Sequence, residues 1–237
     1  MVQCPSPSYG ERRDNARPDM IVLHYTAMDS TKAALDRLCD PEIEVSCHYL
    51  IGPDGTVWQM VSEEHRAWHA GAGKWGLVTD VNSRSIGIEL ANLGDHPFSE
   101  PQMAALERLL SDIMDRWHIP PERVIGHSDM APDRKSDPGP RFDWRRLALR
   151  GLSVWPDVRR ADHLKEEGWD ALRILEVGQA LRSFGYVMPD NDMAPLHVYN
   201  AFCTRFGCGG PENRGYAIAV ARDLAERFPV DHSADNA

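Results

Sequence analysis

Two short apolar runs that each end in a histidine constrain this chain more than anything else in it. Met20-Ile21-Val22-Leu23 leads into His24, and Val124-Ile125-Gly126 leads into His127. Runs of this kind read as short buried strands, so each imidazole stands at a strand end, where side chains project from a sheet edge. Ten positions past His127 comes Asp137, in the proline-flanked loop Arg134-Lys135-Ser136-Asp137-Pro138-Gly139-Pro140. A fold that brings the two strand ends to this loop puts two imidazoles and one carboxylate around a single point. That set is the ligand pattern of catalytic zinc, which keeps a fourth position open. His24, His127 and Asp137 are therefore the expected metal ligands, and the chain reads as a zinc hydrolase. The combination carries the reading: the chain has ten histidines, and Asp137 alone would pass for a turn residue before Pro138.

The remaining pattern predicts an α/β fold, a mixed central sheet flanked by helices. Ser30–Asp40 is a short helix halted by Pro41. Residues Val45–Val61 form a hairpin about Gly52-Pro53-Asp54-Gly55, and 62–84 reads as loop. Ser99–Trp117 is the strongest helix, with Ser99 as cap, Pro101 in the first turn and Gln102 at the capping-box position. Its apolar stripe is Met103, Leu106, Leu110, Ile113, Met114 and Trp117. Three further helices, Trp169–Phe184, Pro195–Phe206 and about Arg214–Phe228, make a small unit that is marginal alone and expected to dock on the first domain.

Ser85–Asn92 alternates, with Ile86, Ile88 and Leu90 on one face and Ser85, Gly87, Glu89 and Ala91 on the other. The second face is small apart from its carboxylate. It suits a pocket floor, with Gly87 leaving room for a ligand beside Glu89. Facing a metal, Glu89 would take a proton from water and pass it to a leaving amine; otherwise it is a strand-edge carboxylate. Lys135, two residues before Asp137, shares its face in extended backbone and could stabilise an oxyanion; otherwise it is a solvated loop lysine. His65 and His69 have helical metal-ligand spacing, but Gly71 and Gly73 argue against a helix, so neither is assigned to the metal. For His48, structural and substrate-side roles both fit. Gly71-Ala72-Gly73-Lys74 lacks the hydroxyl residue and helix of a phosphate loop.

The chain of 237 residues carries a net charge of −10, and residues 161–237 hold 12 acidic against 7 basic side chains, half of that excess. Acidity this evenly spread argues against nucleic acid as a partner. No apolar run approaches the roughly 20 residues of a membrane span. The five cysteines, at 4, 39, 47, 203 and 208, read as thiols of a reducing compartment, with a Cys203–Cys208 disulfide the alternative. Met1–Asp19 has no hydrophobic core. A cytoplasmic location is expected, and the periplasm or outer envelope if the start is trimmed.

Six blocks in order resemble a known family: Leu23-His24-Tyr25-Thr26, Ser46-Cys47-His48-Tyr49-Leu50-Ile51, Ala67-Trp68-His69-Ala70-Gly71, Ser85 through Asn92, Gly126-His127-Ser128-Asp129, and Arg134 through Pro140. They are similar to zinc-dependent N-acetylmuramoyl-L-alanine amidases, a group including amidase-type phage lysozymes and related to peptidoglycan recognition proteins. The similarity covers about residues 17–145 and leans to the branch acting on muropeptides and anhydro-muropeptides. It implies zinc on His24, His127 and Asp137, Glu89 as acid/base, Lys135 as stabiliser of the tetrahedral intermediate, and His69 and Asn92 lining the substrate groove. Peptidoglycan or its fragments are the implied partner. Receptor relatives that bind without cutting lose a ligand or the catalytic pair, and this chain keeps all five positions. Ser183-Phe184-Gly185-Tyr186, Ala201-Phe202 and the last helix are similar to the C-terminal peptidoglycan-binding-like domain of one subgroup. Cys203 replaces the glutamine usual after Ala201-Phe202, which weakens the case for independent glycan binding there. Cys47 also departs from the pattern and has no assigned role. The implied organisation is an N-terminal extension (1–16), a catalytic domain (17–150), a linker (151–168), a helical unit (169–230) and a tail (231–237).

Overall fold

The structure, a computed structural model, describes residues 1–159 and 171–230. Chain order runs β1 (Val2–Gln3), β2 (Tyr9–Gly10), β3 (Met20–Tyr25), α1 (Thr31–Leu38), β4 (Tyr49–Ile51), β5 (Val57–Gln59), β6 (Arg66–Ala67), α2 (Val81–Arg84), β7 (Ser85–Leu90), α3 (Glu100–Trp117), β8 (Val124–Gly126), α4 (His127–Met130) and α5 (Trp144–Ala148). Then come α6 (Ala171–Phe184), α7 (Ala194–Phe206) and α8 (Arg214–Arg227). Trp169, read above as the start of α6, and the tail 231–237 lie outside the described residues, as does the linker beyond 159.

Six strands form a mixed sheet in the order β1-β5-β4-β7-β3-β8, with β4 and β5 antiparallel and the other neighbours parallel. β3 lies between β7 and β8, and its apolar residues Met20–Leu23 are fully buried, as a strand covered on both faces requires. Its register decides the site. His24 pairs with Glu89 of β7, and Leu23 pairs with Gly126 of β8, so His127 emerges beside His24 at the same sheet edge. Side chains of paired residues share a face, so Glu89 and His24 point the same way.

One sheet face packs Ile21, Leu23, Ile86 and Ile88 against the α3 stripe of Met103, Leu106, Leu110 and Ile113. Ser99 caps α3 by accepting from Gln102 N. The capping box expected there does not close: the Gln102 side chain is buried and donates instead to Ile51 O and Ala91 O. The opposite face, with Met20, Val22 and Ile125, belongs to a cluster that continues through Trp75 into Phe184, Tyr186, Phe202 and Phe206. The helical unit thus shares a core with the sheet. Gly207 ends α7 in the left-handed conformation that glycine adopts freely.

Residues 1–16, read as an extension, are built into the fold. β1 pairs with β5 and β2 with β6, and the buried Arg12 guanidinium donates to Glu63 O, Ser83 O and Ser85 O. The loop-like stretch 62–84 holds β6 and the short α2, capped by Asp80. Among the described residues no helix is long and apolar enough to cross a membrane.

Candidate metal centre

The sheet edge, the turn after β8 and the loop 134–140 converge on one cavity of about 390 Å³. His24 Nδ1 is 2.9 Å from both His127 Nδ1 and Asp137 Oδ2, and His127 Nδ1 is 3.1 Å from that same oxygen. All three residues are buried, His24 to 1% exposure and Asp137 to 7%. Asp137 is held by its own carbonyl, which accepts from Ser128 N at 2.9 Å.

The donor chemistry fits a cation. His127 Nε2 donates to Ala70 O at 2.9 Å, since a carbonyl can only accept. Neutral His127 therefore turns an unprotonated Nδ1 toward Asp137 and His24. Two or three lone pairs within about hydrogen-bond distance and with too few protons among them repel unless a positive ion stands between. Burial pushes the His24 imidazole down to about 4, with His127 adding to the effect and Asp137 opposing it. Burial alone would raise the Asp137 carboxyl, but its bonds to His127 and His24 outweigh that and hold it well below the ordinary range. A neutral His24 imidazole and an ionised Asp137 carboxylate are the protonation states that metal ligation needs.

Glu89 lies on the cavity wall, and its Oε2 has no hydrogen-bond partner. Burial pushes its carboxyl up to about 8, Asp137 raises it further and Lys135 pulls it back. Lys135 is exposed at the mouth of the same cavity. The other expected residues divide. His69 also lines the cavity, but both its nitrogens contact protein atoms, His24 Nε2 at 3.0 Å and Ser85 Oγ at 3.2 Å. Burial, then His24 and His48, keeps its imidazole well below its usual value. Asn92 is not brought to the cavity wall: its Oδ1 accepts from Gly94 N and its carbonyl from Ala27 N, so it shapes the strand exit. His48 is fully buried, taking Gly87 N on Nδ1 and reaching His65 O with Nε2, which is a structural role. Cys47 packs on Met60. The space beside Glu89 that Gly87 opens is filled by protein, since a Cβ there would be 2.4 Å from the His69 ring.

Cavity residues not singled out from the sequence are Tyr25, Met28, Arg37, Trp68 and Arg134. Tyr25, Trp68 and Arg134 stand in three of the blocks, beside His24, beside His69 and at the head of the 134–140 loop, whereas Met28 and Arg37 carry no signal of that kind. Arg134 ties the 134–140 loop to Ala70 O and Ala72 O. Behind His127, the Asp129 carboxylate accepts from Gly126 N at 2.7 Å, from Arg205 at 2.7 Å and from the Tyr186 hydroxyl.

The architecture is that of a class of cell-wall hydrolases. It matches the solved complex of the N-acetylmuramyl-L-alanine amidase AmiD from Escherichia coli with a TM-score of 0.78 and 34% identity, covering 94% of this chain and 99% of that one. In sequence, AmiD of Escherichia coli K12 is 40% identical over 242 residues, 91% of this chain and 85% of the relative. The 1,6-anhydro-N-acetylmuramyl-L-alanine amidase AmpD of the same organism is 33% identical over 162 residues, 61% of this chain and 88% of the relative. Residues 14–140 match the pattern of the N-acetylmuramoyl-L-alanine amidase family, and the chain belongs to it.

Proposed function

We propose that the protein binds zinc through His24, His127 and Asp137 and hydrolyses the amide between N-acetylmuramic or anhydro-N-acetylmuramic acid and L-alanine, in peptidoglycan turnover and recycling. The observation that carries this is the unpartnered Glu89 carboxyl, on the same sheet face as His24 and in the cavity where the three ligand atoms meet. The substrate is supported by the AmiD structure, a complex with anhydro-N-acetylmuramic acid-L-Ala-D-gamma-Glu-L-Lys, and by the anhydro specificity in the name of AmpD.

Zinc at this centre would supply Lewis-acid polarisation and a lower pKa for water. Glu89 takes a proton from the attacking water and returns it to the departing amide nitrogen. A carboxyl raised to about 8 is poised near neutrality for both transfers. Lys135 places its ammonium at the cavity mouth, where it stabilises the oxyanion of the tetrahedral intermediate. Tyr25, Trp68 and Arg37 on the wall hold the sugar and peptide.

The test is mass analysis of products from intact sacculi and from purified anhydro-muropeptides, with and without chelator. The expected result is release of peptide beginning with L-alanine, lost on chelation and restored by zinc. Turnover of neither substrate would overturn the proposal. Faster cleavage of the soluble fragments would favour recycling in the cytoplasm, and faster release from sacculi an envelope role.

A further inference from the structure

His24 turns Nδ1 toward the ligand cluster and leaves Nε2 facing away from it, and what Nε2 meets is unusual. Its neighbour is Nδ1 of His69, at 3.0 Å. His69 Nε2 is 3.2 Å from Ser85 Oγ, and Ser85 Oγ is 2.6 Å from Val81 O. Protons along this chain can be assigned from its fixed end. A carbonyl has no proton to give, so the single hydroxyl proton of Ser85 goes to Val81 O. Toward His69 the hydroxyl can then only accept, which places the His69 proton on Nε2. Neutral His69 thereby has a lone pair on Nδ1, and it accepts from His24 Nε2. That leaves His24 Nδ1 unprotonated, facing His127 and Asp137.

We propose that His69 and Ser85 are positioning residues that fix the tautomer and ring plane of His24, so that Nδ1 is presented to zinc. The inference rests on His24 being a zinc ligand, as proposed above. It replaces the substrate-groove role expected for His69, whose two nitrogens are both engaged by the protein. It also accounts for the small inward face of β7. Ser85 supplies the hydroxyl, Gly87 the space and Glu89 the carboxyl, and any side chain at 87 would overlap the His69 ring. His127 is oriented directly by one backbone carbonyl, Ala70 O; His24 is oriented through two side chains anchored on Val81 O. Outer partners of ligating histidines commonly set tautomer and ligand strength, and their loss typically costs 10–100-fold in metal affinity.

The experiment measures zinc affinity of the full-length protein by competition with a calibrated chelator, alongside ¹⁵N spectra of the histidine rings. His69→Leu should weaken zinc binding about 10–100-fold and leave His24 a mixture of tautomers before zinc is added. His69→Gln, whose amide can accept from His24 and donate to Ser85, should bind within about threefold of the parent. Ser85→Ala frees the His69 ring to flip and should fall between them. With zinc saturating, the variants should recover kcat with KM unchanged. Unaltered zinc affinity in His69→Leu, or an equal loss in His69→Gln, overturns the relay; a raised KM at normal zinc affinity does so in favour of substrate contact. His24→Ala separates the two levels: if that variant keeps zinc, the metal site itself is wrong and not merely its support.

Discussion

In the proposed reaction Glu89 is the one side chain that both takes and returns a proton. Replacing it with glutamine keeps shape and removes the transferable proton, so Glu89→Gln should retain zinc and lose at least about a hundredfold in kcat. Metal analysis with steady-state kinetics checks both halves, and normal turnover would remove Glu89 from the reaction. Asp137→Ala should bind zinc more weakly by the same chelator assay. Gly87→Ala tests the close approach: a methyl group 2.4 Å from the His69 ring forces a shift. Overpacking of this kind costs about 1–3 kcal/mol, to be read from a denaturation midpoint, with zinc affinity falling in parallel. The three proposed ligands stand out in the sequence because two follow apolar runs and the third lies in a proline-flanked loop, and Glu89 because its strand face is otherwise small. What each ligand leans on was not legible. The carbonyls of Ala70 and Val81 leave no mark in a one-letter string, and neither does the bond that turns Asn92 onto Gly94 N.

Among the elements, β3, β7 and α3 announce themselves through buried runs, alternation and a long apolar stripe. β1, β2 and β6 are two residues each, too short to carry a period, and their backbones find partners in β5 and in each other. Gln102 at the third helical position was rightly placed, yet a buried carbonyl outcompeted the box. Glu63 ties the 62–84 stretch to α3 and β4, accepting from Tyr49 Oη at 2.6 Å, from Arg116 at 2.8 Å and from Trp117 Nε1. Burial is the largest single influence and raises its carboxyl, but the bonds from Arg116, Tyr49 and Trp117 together hold it below the usual carboxylate range. A depressed folded value stabilises the protein above the unfolded pKa of about 4.3 and loses that contribution as pH falls through the folded value. Urea titrations from pH 7 down to 3 should therefore show the parent exceeding Glu63→Gln by a margin that shrinks in acid. A constant margin would assign the effect to packing alone.

For the molecule as a whole, helical periodicity and the glycines at 185 and 207 predicted a small helical unit, but nothing showed how it docks. Asp129 and Arg205 look like surface charges in the sequence and are in fact an ion pair at 2.7 Å, each nearly inaccessible to water. Arg205 is stacked 4.3 Å above the Trp144 ring and also reaches Val124 O. Removing one partner of such a pair costs about 3–5 kcal/mol, because the other charge is left buried and alone. Arg205→Met should lower the unfolding midpoint accordingly, and Asp129→Asn combined with it should restore part of the loss; strict additivity in that double-mutant cycle would mean the pair is not coupled. Anyone wishing to shorten this protein to a minimal catalyst, of the length that the AmpD alignment covers, would meet this pair first. Deleting the helices strips Asp129 of its cation two residues from His127, so residue 129 would need neutralising before the trimmed enzyme could keep that histidine in place.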